Sequence, residues 1–226
     1  GCDLNAALAA FLEPQKIRDA LLALDPGNTG RKRDTALIYE RVGEVDNRMG
    51  DAGSALMNQE AARGMRAELV ALDPANMLWA RDLSVSHEKV GMIYQQEREF
   101  TGALEAFAAC RDLRLAIAAV DPGNLSSQRD LAICIHKWAQ ATEGAGDPQG
   151  ALAAHETALG IRRSNAAADP EARIYQLDLT FSLSAIGKLE WTGGDLDAAA
   201  AAYDETARLL QAEFAGDPGD RPSRYD

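Results

Sequence analysis

The side chains of this 226-residue chain with chemistry to offer are three histidines, three cysteines and two recurrent sets of opposite charge. His87, His136 and His155 could ligate a metal or carry a proton. They form no shared cluster with Cys or Asp at ligand spacing, so neither a metal centre nor histidine catalysis is expected. His87 shares a repeat position with Tyr39 and Leu183 and reads as a packed side chain. Cys2, Cys110 and Cys134 also lack metal spacing. Their odd number fits a reducing compartment better than a disulfide framework. No Gly-rich phosphate loop, nucleophile elbow or pair of catalytic carboxylates is present. The expectation is a non-enzymatic protein with no metal and no cofactor.

The charged sets recur in step. Arg18, Arg66, Arg114 and Arg162 form one column, and Asp34, Asp82, Asp130 and Asp178 form another. On a helical wheel both columns turn away from the polar stripe. Antiparallel helices meet at equal distances from their turn, and the midpoint of positions 34 and 66 is Gly50. Ion pairs Asp34–Arg66, Asp82–Arg114 and Asp130–Arg162 are therefore expected. Asp178 faces Leu210 and must look elsewhere, Arg162 being the candidate. A buried charge needs its partner, and loss of one partner costs about 3–5 kcal/mol.

The elements that hold these columns repeat with the same step. Asp25-Pro26, Asp73-Pro74, Asp121-Pro122, Asp169-Pro170 and Asp217-Pro218 are each 48 residues apart. Gly43, Gly91, Ala139 and Gly187 align, as do Ala55, Ala103, Ala151 and Ala199. Each unit reads as a helix A, a Gly-Asp turn, a helix B and an Asp-Pro loop. Gly50, Gly146 and Gly194 end helix A and the following Asp caps helix B; Arg98-Glu99 is the exception. Pro stops helix B, and Asn28, Asn76 and Asn124 cap the next helix A. Trp79, Leu83, Ser86, Val90 and Ile93 recur at 3–4 spacing, an amphipathic helix. Trp79 aligns with Tyr175 and reads as inter-helix packing.

Val90-Gly91-x-x-Tyr94, then Ala103-x-x-x-Phe107 and a closing Pro122, resemble the tetratricopeptide repeat (TPR). Ala199-x-x-x-Tyr203 repeats the second half, while Gln59, His155 and Ala139 depart from the pattern. The stretch from Trp79 to Ser86 resembles the long repeats of large bacterial TPR proteins. The period exceeds the family's 34 residues by seven in each helix, close to two turns, so each face stays in phase. Helices of about 20 residues are expected. The fold class implied is all-α: a TPR-like, right-handed superhelical α-solenoid of antiparallel helix pairs. HEAT-like repeats are the alternative, but they lack the Gly-to-Ala pairing across a short turn. The expected organisation is one array: a half repeat of helix B only over 1–26, repeats over 27–74, 75–122, 123–170 and 171–218, and a tail over 219–226.

The resemblance also implies a function. In TPR proteins the helix-A face lines a concave groove that grips a partner peptide or protein. Counted from the small residue, offsets of −3, +1 and +4 share that face here. They give Glu40, Glu44 and Asn47; Glu88, Met92 and Gln95; His136, Gln140 and Glu143; Ser184, Lys188 and Trp191. Arg33, Arg81 and Arg129 extend the stripe as a basic ladder suited to carboxylates. Trp191, exposed near the end of the array, is an anchor candidate. A protein- or peptide-binding scaffold is expected. The alternatives are a regulatory or sensor segment of a larger bacterial multidomain protein controlling an attached effector, and a self-assembly module.

The net charge of −12 repels phosphate backbones, so neither nucleic acid nor anionic membrane is an expected partner. No apolar run is long enough to span a bilayer and no signal-peptide core is present, so the expected location is cytoplasmic. A lipid-anchored envelope protein, attached through Cys2, is the alternative. The first helix, Asp3 to Leu24, aligns as a helix B without its helix A. The face carrying Leu8 and Phe11 would then lack a partner, which suggests a piece of a longer protein or a homo-oligomer formed through this helix. Pro14 predicts a kink or break near Glu13. The segment from Gly216 to Asp226 is expected to be poorly ordered.

Overall fold

The computed structural model describes residues 3–216. These form nine α-helices and no strands: α1 (Leu4–Leu24), α2 (Thr29–Met49), α3 (Ala52–Leu72), α4 (Met77–Gln96), α5 (Phe100–Val120), α6 (Leu125–Gly144), α7 (Pro148–Ala168), α8 (Arg173–Gly193) and α9 (Leu196–Gly216). Each has 20 or 21 residues, as the two added turns require. The expectations for Cys2 and for most of the tail fall outside the described residues.

Local sequence sets the helix ends. Asn28, Asn76 and Asn124 accept from the backbone N–H of Arg31, Trp79 and Ser127, each satisfying a donor that the first turn leaves open. Gly50, Gly146 and Gly194 take φ of 83°, 93° and 92°, the left-handed conformation that reverses the chain after a helix. Asp51, Asp147 and Asp195 then cap the next helix. The exceptional turn is strained: Arg98 holds φ 61°, and Glu99 makes no side-chain cap. At the far ends Asp25, Asp73, Asp121 and Asp169 stop α1, α3, α5 and α7. The proline after each cannot continue the helix.

The short Gly-Asp turns fold α2 against α3, α6 against α7 and α8 against α9, and Arg98-Glu99 folds α4 against α5. Two compact units result, one up to Asp121 and one from Pro122. In the first, α1 packs on α2 and α3 on α4; in the second, α7 packs on α8. The small residues sit at the contact within each pair, as their alignment predicts. A Cβ on Gly43 would lie 3.1 Å from the Ala55 carbonyl, one on Gly91 2.7 Å from the Phe107 ring, and one on Gly187 3.0 Å from the Tyr203 ring. Ala55, Ala62, Ala103, Ala151 and Ala158 are fully buried, so the backbones approach closely. In the second unit Leu159, Ala166, Leu179, Leu183, Ile186 and Ala202 form a contiguous core.

Three expectations need correction. Of the kink or break expected near Glu13, the break does not occur: α1 stays helical through Pro14. Pro14 removes the donor to the Ala10 carbonyl, but Ala10 is exposed, so water can serve that carbonyl. Cys110 and Cys134 are both fully buried, and neither is a free thiol. The third correction concerns the charged columns. Arg66 bonds Glu40 at 2.5 Å, Arg114 bonds Glu88 at 2.6 Å and Arg162 bonds the Ser182 hydroxyl at 2.5 Å. None of them takes the expected Asp34, Asp82 or Asp130. Helical side chains lean toward their own N-terminus. An arginine on helix B therefore leans toward the turn, and a carboxylate on helix A leans away from it. Glu40 and Arg66 meet in between, while Asp34 is carried out of reach. Asp34 pairs with Arg18 of α1 instead, Asp82 with Arg33, and Asp178 with Arg129 rather than Arg162.

Candidate binding surface

The stripe predicted on the A helices is partly consumed by the array itself. Arg33 on α2 bonds Asp82 on α4 at 2.6 Å, and Arg129 on α6 bonds Asp178 on α8 at 2.5 and 3.1 Å. Lower on the same helices, Lys89 reaches Glu44 at 2.8 Å and Lys188 reaches Glu143 at 2.6 Å. These bridges tie α2 to α4 in the first unit and α6 to α8 in the second. Burial of Glu44 works against its charge, but Lys89 and Arg41 outweigh it and hold its carboxyl below the usual range. Arg33 and Arg129 are thus bridging groups between neighbouring helices, not rungs of an open ladder. Glu40 is buried under its ion pair, and Glu88 is half-buried.

Asn47, Met92 and Gln95 are half-buried, and Arg81 is exposed. In the second unit the stripe opens further. Gln140, Ser184 and Lys188 are exposed, and Trp191 is 63% exposed. His136, Gln140, Glu143, Ser184 and Lys188 line one cavity of about 450 Å³ with His155 beneath them. Arg129, His136 and Gln140 also line a second, of about 400 Å³, together with Arg162 and Phe181. The two share His136, Gln140 and Phe181 and form one depression on the A face. The sequence stripe thus converges at His136, Gln140, Glu143, Ser184 and Lys188; Trp191 stands outside both cavities.

The floor comes from helix B. His155 is fully buried, its ring centroid 4.7 Å from that of His136, and neither of its ring nitrogens has a hydrogen-bond partner. Burial pushes the His155 pKa down to about 4, with Arg162 adding to the effect. His136 is pushed to about 3 by burial and by Arg162. Both rings are neutral at pH 7. The Arg162 guanidinium lies 5.9 Å from the Phe181 ring centroid, within cation–π range.

Sequence reasoning missed a column on this face. Leu37, Val85, Ile133 and Phe181 stand six residues before the small residue of each unit and continue the stripe one turn upward. All four are apolar, and Leu37 and Phe181 are 45% and 57% exposed. The signal was available in the sequence, as an apolar residue at the same position of every unit on an otherwise polar helix face. Arg162 and His155 were missed because helix B was read only as packing.

No known family's sequence profile matches this chain, and no characterised protein matches it in sequence. Solved structures do match in fold. BtubC (BKLC) from P. vanneervenii superposes with a TM-score of 0.53 at 15% identity, covering 100% of this chain and 96% of that one. MamA gives 0.53 at 14% identity, over 93% and 91%. The nearly identical TPR-like repeats of a P. anserina protein designated a kinesin light chain give 0.58 at 14% identity, over 93% and 92%. The chain has the fold of the TPR-like repeat proteins, an all-α solenoid of paired helices.

Proposed function

We propose that this protein is a non-enzymatic scaffold that binds a protein or peptide on its helix-A face. The observation that carries the reading is the depression in the second unit, where exposed Phe181 adjoins a polar rim of Gln140, Ser184 and Lys188. Phe181 is 57% exposed, so a partner covering it would recover about 1–2 kcal/mol, the exposed share of full burial. An aromatic ringed by adaptable polar groups has the composition of an interface anchor. Its position on a stripe that varies between repeats, over a frame that does not, fits a selective surface on a common scaffold. The corresponding stripe of the first unit, with exposed Arg81 and half-buried Asn47, Met92 and Gln95, offers contacts of its own on that unit.

Site-specific crosslinking tests the reading. A photo-reactive p-benzoylphenylalanine replaces Ser184 on the A face or, as control, exposed Glu156 on helix B. Illumination in extracts of the source cells should give discrete adducts from position 184 and none from position 156. Equal adducts from both positions, or none from 184, contradict it.

A further inference from the structure

Arg66, Arg114 and Arg162 occupy equivalent places on α3, α5 and α7, and only 4%, 5% and 3% of each is exposed. A guanidinium taken out of water needs a carboxylate with good geometry. Arg66 has Glu40 and Arg114 has Glu88. The equivalent residue on α6 is His136, whose neutral ring carries no negative charge. Asp178 acts on Arg162 through space, but its two oxygens bond Arg129. Nε is buried without a partner in both Arg66 and Arg162, but Arg66 Nη1 bonds Glu40 as well as the Ser86 hydroxyl, whereas Arg162 Nη1 bonds only the Ser182 hydroxyl. Burial lowers its pKa to about 10, which leaves it cationic at neutral pH. The third repeat therefore retains the buried cation of its column and lacks the anion.

The cavity of about 400 Å³ opens at this guanidinium. Ile133 and Phe181 supply apolar lining, Gln140 and Lys137 supply polar lining, and Asp178 also lines the cavity with its charge offset by its two bonds from Arg129. We propose that the cavity binds a carboxylate in trans: an acidic side chain of a bound peptide takes, at Arg162, the place that Glu40 and Glu88 fill at Arg66 and Arg114. This rests on the peptide-binding reading of the A face. A side chain is the source that fits, because the internal groups it replaces are glutamate side chains entering from that same face. The exposed Phe181 ring would cover the apolar stem of the entering residue.

The test follows the Arg162 Nε–Hε resonance of ¹⁵N-labelled protein, assigned through its loss in Arg162→Lys. The probes are N-acetyl-glutamate amide, its neutral isostere N-acetyl-glutamine amide, and N-acetyl-alanine, which offers only a main-chain carboxylate. A saturable shift with the first probe and not with the second is expected. In His136→Glu the column regains its internal carboxylate. That variant should lose the response and melt at least ~2 °C higher. No saturable shift in the wild type, an equal shift with the glutamine amide, a shift retained in His136→Glu, or a less stable His136→Glu protein overturns the proposal. A response to N-acetyl-alanine as strong as to the glutamate amide overturns the choice of a side chain. The probes need no protein partner. A silent Arg162 with crosslinks still forming at position 184 removes this subsite alone; a responding Arg162 without crosslinks removes the broader peptide reading.

Discussion

Single atoms decide much of the packing. Gly91 is buried against Phe107, and a Cβ there would meet the ring at 2.7 Å. Phe107 is itself fully buried and has no room to withdraw. Gly91→Ala gains about 1 kcal/mol in helix propensity, but overpacking of this kind costs about 1–3 kcal/mol. A net loss of stability is expected, read as a lower denaturant midpoint. Gly64, inside α3, has nothing within 4 Å of its would-be Cβ, so Gly64→Ala should raise the midpoint by the propensity gain alone. Opposite signs for two identical substitutions would establish the close approach.

The histidines set the acid response. His87, His136 and His155 titrate at about 4, 3 and 4 in the fold, against about 6.5 in an unfolded chain. Between those values the unfolded state holds more protons, so stability falls as pH drops from about 6.5 toward 4. The melting temperature should be lower at pH 4.5 than at pH 7. His155→Leu, which removes a fully buried ring with unbonded nitrogens, should narrow that gap.

Among the elements, the turn between α4 and α5 is the one that departs from the repeat. Arg98 takes the left-handed conformation that glycine takes in the other three turns, at a cost of about 1–2 kcal/mol. Glu99 provides no cap where Asp51, Asp147 and Asp195 do, which forgoes about 0.5–2 kcal/mol. The double variant Arg98→Gly/Glu99→Asp should therefore be more stable than the wild type, with an unchanged helical signal in circular dichroism. Helix existence and length were legible because caps, stops and small residues each recur at 48 residues. Pairing of the charged columns was not. Equal distance from the turn sets the height of two residues, while the lean of long side chains toward the helix N-terminus decides which ones touch. The stripe was found from its polar positions, and its apolar column, ending in Phe181, was passed over because apolar residues were assigned to the core.

At the scale of the molecule, the chain carries a net charge of −12 on a helical frame in which Arg66–Glu40 and Arg114–Glu88 are buried ion pairs and most of the others reach solvent. No helix among the described residues is long and apolar enough to cross a membrane. The sequence could reveal the repeat, since register survives in the order of residues. It could not reveal the depression around His136, which depends on one substitution in a column and on a helix-B arginine rising from beneath. If a partner docks in that depression, altering it must abolish retention while altering helix B must not. Wild-type protein, a groove variant (Phe181→Ser/Gln140→Glu) and a helix-B surface variant (Leu72→Ser/Leu115→Ser) are used as baits in equal amounts, and the retained proteins are quantified by mass spectrometry. Retention by wild type and the helix-B variant, with at least ~10-fold loss in the groove variant from the removal of about 1.4 kcal/mol or more of binding, is the predicted result. Equal retention by all three, or loss only in the helix-B variant, would contradict it.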